Sequence, residues 1–155
     1  KNIEIIESKN IIEYNYAINF MENKVSQVKD NSSREIIWFL EHPSIYTSGR
    51  GNPIKQDKIN QIPIYNTGRG GKLTWHGPGQ RIIYFIINLK RRGLDIRRFV
   101  NNIEQFIIRS LSNFNNIDPC GIKDSRVTSM KSLKNVTNKK VVDEVLKNNL
   151  NIIFS

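Results

Sequence analysis

The chain contains 155 residues, of which 38% are hydrophobic, and it carries a formal net charge of +10. This length predicts one domain with its own hydrophobic core, because domains commonly contain ~100 to 200 residues. The apolar runs fall short of the ~20 residues that a transmembrane helix needs, and the N-terminus lacks the basic-then-apolar pattern of a signal peptide. We therefore expect a cytoplasmic protein with no membrane partner.

Strand-like and helix-like patterns of apolar residues follow one another along the chain. Short apolar runs bounded by charged or turn-forming residues predict strands, and apolar residues three and four positions apart predict amphipathic helices. In chain order, the patterns predict a strand at 3–6, a helix over 9–29, strands at 36–40, 62–65 and 81–89, a helix from Asp95 to about Phe114 and a last helix over 139–149. This mixture indicates one α+β or α/β domain.

Each of the two long helices is predicted to have one apolar face. Asp95 is a suitable N-cap for the second helix, because its carboxylate can accept hydrogen bonds from backbone N–H groups of the first turn. We expect the following residues to face the core: Ile11, Ile12, Tyr16, Phe20, Met21, Val25 and Val28 in the first helix, and Ile96, Phe99, Val100, Ile103, Phe106, Ile107 and Leu111 in the second.

Residues 66–80 are the most informative stretch, because five glycines, Arg69 and His76 fall within these fifteen positions. A glycine cluster favours a sharp bend or a close approach of the backbone to a ligand, since a Cβ would obstruct both. Arg69 and His76 would supply polar groups for that ligand. The alternative is a glycine-rich connection between two strands that has no chemistry.

The common nucleotide-binding motifs do not fit this stretch. A dinucleotide fingerprint that starts at Gly68 needs glycine at position 73, which is Leu73. A P-loop that ends in Gly71 and Lys72 needs glycine at position 66 and a hydroxyl residue at 73, where the chain has Asn66 and Leu73.

The chain has one cysteine, Cys120, so an intramolecular disulfide is impossible. Cys120 lies between Pro119 and Gly121, with Lys123 and Arg126 nearby in sequence. An accessible cysteine near cations can be partly thiolate at neutral pH, although a lone cysteine can equally be a small buried core residue. We expect no metal site, because one cysteine and two widely spaced histidines offer no ligand pattern.

The net positive charge predicts an acidic partner, which could be a nucleic acid, an anionic membrane or an acidic protein. The charges are scattered, apart from Lys90-Arg91-Arg92 and Arg97-Arg98. No nucleic-acid motif accompanies that cluster, so we expect no nucleic-acid partner. The cluster is either a solvated basic face or a docking patch for an acidic protein.

The segment Arg69-Gly-Gly-x-x-Thr-x-His76-Gly-Pro-Gly-Gln80 resembles the signature loop of the octanoyltransferases of the lipoate pathway. The resemblance spans roughly residues 1–135 in the family's order, and two separated signatures make it specific. Its other motifs are Glu35-Ile-Ile-Trp-Phe-Leu-Glu-His-Pro43, Tyr46-Thr-Ser-Gly-Arg50, Asn88-Leu-Lys-Arg-Arg92, Asp118-Pro-Cys-Gly-Ile122 and Val127-Thr-Ser129.

The resemblance implies a mixed sheet backed by helices, as in the fold shared by biotin and lipoate protein ligases. It also implies a monomeric enzyme without a cofactor that takes octanoyl groups from octanoyl-acyl carrier protein. The acceptors would be lysines on lipoyl domains of 2-oxoacid dehydrogenases and on the glycine cleavage H protein. Cys120 would be the catalytic nucleophile. The acyl and pantetheine site would be lined by Arg69, Gly70, Gly71, Lys72, Leu73, Thr74, Trp75 and His76, although His76 could instead be a structural hydrogen-bonding residue.

Two other functions are compatible with parts of the sequence. One is an ATP-dependent lipoate or biotin protein ligase of the same fold, against which the Thr-x-His-Gly-Pro-Gly-Gln continuation and the Pro-Cys-Gly loop both argue. The other is a non-catalytic basic binding module, which only the net charge supports.

One departure from the family's pattern concerns the stretch before Cys120. The family carries a strand-and-turn segment there, with a lysine that activates the cysteine, whereas Phe114-Asn-Asn-Ile-Asp-Pro-Cys120 joins helix and nucleophile loop directly. Neither Lys72 nor Lys123 matches the lysine position. We therefore expect a single catalytic domain over 1–155 from which several dozen residues between about 113 and 118 have been omitted. The alternative is a truncated relative.

Overall fold

A computed structural model describes residues 3–51, 53–114 and 138–154. The chain divides into two compact units, Lys1–Asn88 and Leu89–Ser155. Both strands and helices are present, which confirms the predicted α+β class. Within the described ranges, no helix is long and apolar enough to cross a membrane.

The first unit contains one long helix and seven strands among its described residues. In chain order they are β1 (Ile3–Ile11), α1 (Tyr14–Lys29), β2 (Glu35–Glu41), β3 (Ile45–Ser48), β4 (Lys58–Ile59), β5 (Ile62–Asn66), β6 (Thr74–His76) and β7 (Ile82–Ile86).

A three-stranded sheet in the order β1-β2-β7 forms the core of this unit. β2 is parallel to β1 and antiparallel to β7. Its apolar residues are buried on both faces, as expected for a continuous apolar run in a central strand. On one face, Ile36, Trp38 and Leu40 pack with Ala17 and Val28 of α1.

A second sheet has four short strands in the order β4-β5-β3-β6. β3 is one of its two inner strands, parallel to β5 and antiparallel to β6. The register places Thr47 opposite Thr74 and Ile45 opposite His76. On the other side, Asn66 of β5 lies opposite Ser48, so β3 lies between the start of the glycine-rich stretch and its Thr74–His76 part.

The second unit is helical over the described residues. It contains α2 (Leu89–Arg92), α3 (Ile96–Ser112), α4 (Lys139–Asn149) and a 3₁₀ helix (Leu150–Phe154). The Asp95 carboxylate accepts a hydrogen bond of 2.8 Å from the Arg98 backbone N–H, which confirms the predicted N-cap. α3 packs against α4 and the 3₁₀ helix, where the Asn102 amide donates to the Ile153 carbonyl at 3.0 Å.

Several predicted elements are confirmed, and three boundaries are wrong: the end of β1, the start of the first helix and the end of the strand predicted over 81–89. Strands occur at the predicted 3–6, 36–40 and 62–65 positions, and the last helix spans the predicted 139–149. The first helix begins at Tyr14 rather than at residue 9, because residues 9–11 continue β1 beside β2. The strand predicted over 81–89 ends at Ile86, and residues 89–92 form α2.

The predicted apolar faces are only partly buried. In α1, Val28 is buried, whereas Tyr16 and Val25 are exposed. In α3, Phe99 and Phe106 are buried, but the side chains of Ile96, Val100 and Ile107 remain exposed to solvent. Spacing alone could not separate these residues, because it fixes the side of a helix but not the width of the surface that a neighbour covers.

Candidate active site

Two loops meet at the carboxyl end of β3. The Arg50 backbone N–H donates to the Arg69 carbonyl at 3.0 Å, and the Thr67 backbone N–H donates to the Ser48 carbonyl at 2.8 Å. A Cβ at Gly49 would collide with the backbone of Gly71 and Arg69. Glycine at position 49 is therefore what allows the turn after β3 to contact the glycine-rich loop.

The side chain of Arg69, the first residue of the segment, donates hydrogen bonds to β3 and to carbonyl groups of its own loop. Its Nη2 donates to the Thr47 carbonyl and to Thr47 Oγ1, both at 2.7 Å, and Nε lies 3.3 Å from the same hydroxyl. Nη1 donates to the Gly70 carbonyl at 2.8 Å, and Nη2, whose two hydrogens are shared among three acceptors, also lies 3.0 Å from the Lys72 carbonyl. These donors therefore fix the shape of the loop.

His76 lies at the other end of the same segment, in β6. Its Nε2 is 3.1 Å from Thr47 Oγ1, and its Nδ1 is 2.9 Å from Gln80 Oε1. With the Gln80 amide in this orientation its oxygen accepts, and the hydrogen-bond network assigns the proton to Nδ1. Gln80, His76, Thr47 and Arg69 thus form one continuous chain of hydrogen bonds.

The middle of the segment is open to solvent. Gly70, Gly71, Lys72, Thr74 and Trp75 are exposed. Gly71 has a φ of +89°, which favours glycine because other residues adopt that conformation only with strain.

The far side of the loop has two further supports. The indole of Trp75 occupies the space that a Cβ at Gly77 would need. The Gly79 backbone N–H donates to the Glu41 carboxylate at 2.9 Å, which connects the loop to the end of β2. The loop is therefore attached to both sheets of the first unit.

The second histidine, His42, is fully buried at the end of β2. Its Nδ1 donates to the Ile12 carbonyl at 2.6 Å, and its Nε2 accepts from the Tyr84 hydroxyl at 2.9 Å. Burial lowers the pKa of His42, because desolvation disfavours the imidazolium form, and raises the pKa of the Tyr84 hydroxyl.

Tyr14 connects His42 to the strand that precedes the loop. Its ring lies edge-on to His42, with centroids 5.4 Å apart, and 4.7 Å from the ring of Tyr65. Burial raises the pKa of the Tyr14 hydroxyl, while the positive charge of Arg69 acts to lower it. The ring contacts therefore join His42 to β5, and the charge of Arg69 acts on the Tyr14 hydroxyl of this cluster.

The structure places the predicted substrate-binding residues together, since Arg69–His76 form one continuous loop and strand. Cys120 lies outside the described residues, as do the Asp118–Ile122 and Val127–Ser129 motifs. In the part of the chain that the structure describes, no group of three or more His, Cys, Asp or Glu residues could hold a metal ion.

Sequence reasoning missed Thr47 as a site residue. Thr47 is buried in β3, and its hydroxyl contacts both Arg69 and His76. The only available signal was its position in the Tyr46-Thr-Ser-Gly-Arg50 motif. That motif indicated a glycine turn and gave no reason to select the threonine.

The fold of this chain is similar to that of a solved structure. The crystal structure of P. falciparum LipL1 in complex with lipoate has a TM-score of 0.67, and the match covers 99% of this chain and 62% of that one. The sequence identity is 11%, so this likeness concerns the fold alone. It confirms the predicted likeness to the lipoate ligase fold.

The amino-acid sequence shows to which protein family the chain belongs. The model of the lipoyl protein ligase A/B catalytic domain matches residues 13–118. The chain belongs to this family, which confirms the resemblance seen in its motifs.

Curated octanoyltransferases are among the most similar relatives. That of Wolbachia sp. subsp. Brugia malayi is 46% identical over 114 residues, 73% of this chain and 56% of the relative. That of Rhodospirillum rubrum is 41% identical over 67% of this chain and 49% of its own length. The chain thus spans about half the length of these relatives. The octanoyltransferase of Wolbachia pipientis subsp. Culex pipiens is 33% identical over 204 positions, which cover 97% of this chain and 99% of the relative.

Proposed function

We propose that this protein is an octanoyltransferase that moves an octanoyl group from acyl carrier protein to a lysine of a lipoyl domain. The proposal rests on the geometry of the Arg69–His76 loop. It is held at both ends by Thr47 and open in the middle, in a chain whose curated relatives are octanoyltransferases.

The reaction has two acyl transfers. The thiolate of Cys120 attacks the carbonyl carbon of the octanoyl thioester, a new thioester forms on the enzyme, and the carrier thiol leaves with a proton. The amine of the acceptor lysine then attacks that carbonyl, an amide forms, and Cys120 is released as the thiol after proton transfer. A thioester is already activated toward an amine, so neither step needs ATP.

The loop contributes binding and orientation. Its exposed glycines let the acyl chain and the pantetheine arm approach the backbone, where a Cβ would obstruct them. Arg69 orders the loop through the carbonyl groups that it binds. Lys72, Leu73, Thr74 and Trp75 line the open side, and His76 closes the far end.

A transfer assay with two acyl donors tests this proposal. Octanoyl-acyl carrier protein should acylate a lipoyl domain without ATP or Mg²⁺, whereas free octanoate with ATP should not. A lipoyl domain whose acceptor lysine is replaced by arginine controls for non-enzymatic acylation. If only free octanoate with ATP is used, the protein is a ligase. If neither donor is used, the transferase proposal is contradicted.

We further propose that a segment of several dozen residues is missing from this sequence between about 113 and 118, in an otherwise single catalytic domain. The 204-position alignment with the Wolbachia pipientis relative supports this, because it is longer than the 155 residues of this chain. The family match also ends at residue 118, beside the proposed gap. The lysine that activates Cys120 would lie in that segment.

Peptide mapping of the protein from its natural source tests this proposal. Trypsin cleaves after lysine and arginine, so a continuous chain yields a peptide from Ser110 to Lys123. We expect that peptide to be absent, while the control peptide from Leu73 to Arg81 is detected. Detection of both peptides would show that the chain is continuous and truncated.

The partners follow from the reaction and from the charge. The donor would be octanoyl-acyl carrier protein, and the acceptors would be lipoyl domains of 2-oxoacid dehydrogenases and the glycine cleavage H protein. The protein would act in the cytoplasm as a monomer.

The affinity for the carrier should depend on salt. The chain has a net charge of +10, so electrostatic attraction should favour its association with an acidic carrier, and dissolved salt screens that attraction. The KM for the carrier should therefore rise with ionic strength. A KM that does not change with salt would contradict a basic docking face.

A further inference from the structure

Thr47 is a buried strand residue whose hydroxyl contacts both ends of the candidate substrate loop. Its exposed fraction is 2%. Thr47 Oγ1 lies 2.7 Å from Arg69 Nη2 and 3.1 Å from His76 Nε2. These two residues are the first and the last of the segment 69–76, so one hydroxyl group fastens a segment of eight residues at both ends.

The directions of these hydrogen bonds follow from the chemistry of the groups. Arg69 can only donate, so Thr47 Oγ1 accepts from it and keeps its single hydrogen for another partner. His76 Nδ1 donates to Gln80 Oε1, which leaves Nε2 as an acceptor in the neutral ring. The Thr47 hydroxyl therefore donates to His76 Nε2, and the tautomer of His76 is set from both sides.

We propose that Thr47 is a positioning residue for octanoyl transfer. Its hydroxyl holds the Arg69–His76 segment in the shape that receives the acyl donor, and it keeps His76 in the tautomer with the proton on Nδ1. Thr47 acts through these two residues and does not itself contact substrate. The proposal rests on the proposed function of the loop.

A simpler role is that Thr47 only fills its place in β3. A pair of variants distinguishes the two roles. Thr47→Val keeps the branched shape that suits a strand and removes the hydroxyl, whereas Thr47→Ser keeps the hydroxyl and removes the methyl group. Ser8→Ala is a control in the other sheet, because it removes a hydroxyl that accepts from the Trp38 indole at 2.9 Å.

Steady-state kinetics provide the first readout. We expect Thr47→Val to raise the KM for octanoyl-acyl carrier protein about tenfold with a smaller change in kcat, because the lost hydrogen bond is made to a charged group. Thr47→Ser and Ser8→Ala should have KM values close to that of the unaltered protein. Equal KM values for Thr47→Val and Thr47→Ser would overturn the proposal.

NMR spectra of the imidazole nitrogens provide a readout that does not depend on octanoyl transfer. His76 should have its proton on Nδ1 in the unaltered protein and in Thr47→Ser, and the share of this tautomer should fall in Thr47→Val, where only Gln80 still favours it. If the tautomer responds in this way but no octanoyl transfer is detected, the proposed function fails while the positioning role of Thr47 stands. A tautomer that is the same in all three proteins would overturn the positioning role, whatever the activity.

Discussion

The two sheets of the first unit are stabilised in different ways. The β1-β2-β7 sheet has a seven-residue central strand whose apolar side chains are buried against α1 and neighbouring strands. The β4-β5-β3-β6 sheet has strands of two to five residues, and its inner strand β3 buries the polar side chains of Thr47 and Ser48. The first sheet therefore depends on apolar burial, and the second on directed hydrogen bonds and on glycines that permit close contact.

The two histidines show the same contrast. Each has one ring nitrogen that donates to an oxygen and one that accepts from a hydroxyl group. His42 is sealed in the core beside the first sheet, whereas His76 is only partly buried beside the open loop. Similar hydrogen bonding thus serves stability in one place and loop geometry in the other.

The largest expected effect on stability lies in the first sheet. Leu40→Ala removes a fully buried side chain from the core cluster and should lower the free energy of unfolding by about 2–5 kcal/mol. Urea denaturation measures this change. Tyr16→Ala is the control, because Tyr16 is 61% exposed on α1 and should change stability by less than about 0.5 kcal/mol. Equal losses in the two variants would contradict the assignment of this sheet as the core.

A smaller loss of stability, with a larger loss of function, is expected where the two loops meet. Gly49→Ala places a methyl group against the backbone of Gly71 and Arg69, so the loops must separate at a cost of about 1–3 kcal/mol. The rate of octanoyl transfer by Gly49→Ala should fall as well. Gly51→Ala is the matched control, because a Cβ there meets no atom within 4 Å. If both variants transfer octanoyl groups equally well, the contact between the loops has no part in function.

The smallest expected effect is the pH dependence contributed by His42. Its pKa in the folded protein is below the unfolded value of 6.5, so the unfolded state binds the proton first as pH falls. His42 therefore favours unfolding as pH falls below about 6.5, until it titrates in the folded state as well. His42→Gln keeps a donor and an acceptor without a titrating group, and should reduce this loss in urea denaturation at a series of pH values. An unchanged pH dependence would contradict the buried neutral state.

The sequence predicted the first sheet better than the second. β2 was predictable because its continuous apolar run is short and is bounded by charged and turn-forming residues, which favours a buried strand over a helix. Asp95 was predictable because an N-cap is a local feature. β3, β4 and β6 were missed as strands because each has four residues or fewer and shows no apolar alternation. The role of Thr47 was missed for a different reason, since it depends on pairing between strands 29 residues apart in the chain.

The candidate site was predicted through its motif rather than through periodicity. The Arg69–His76 segment is continuous in sequence, so a resemblance could identify it as a unit. The internal donors of Arg69 could not be foreseen, because a sequence does not show that the loop folds back onto its own carbonyl groups. Cys120 stays a prediction, since it lies outside the described residues.

The most direct test of the account is intact-protein mass spectrometry after incubation with octanoyl-acyl carrier protein and no acceptor. Cys120 is the only thiol of the chain, so we expect a mass increase of one octanoyl group that maps to Cys120 and is removed by hydroxylamine. Cys120→Ala should show no increase. An adduct that persists in Cys120→Ala, or transfer to a lipoyl domain by that variant, would contradict the acyl-enzyme mechanism.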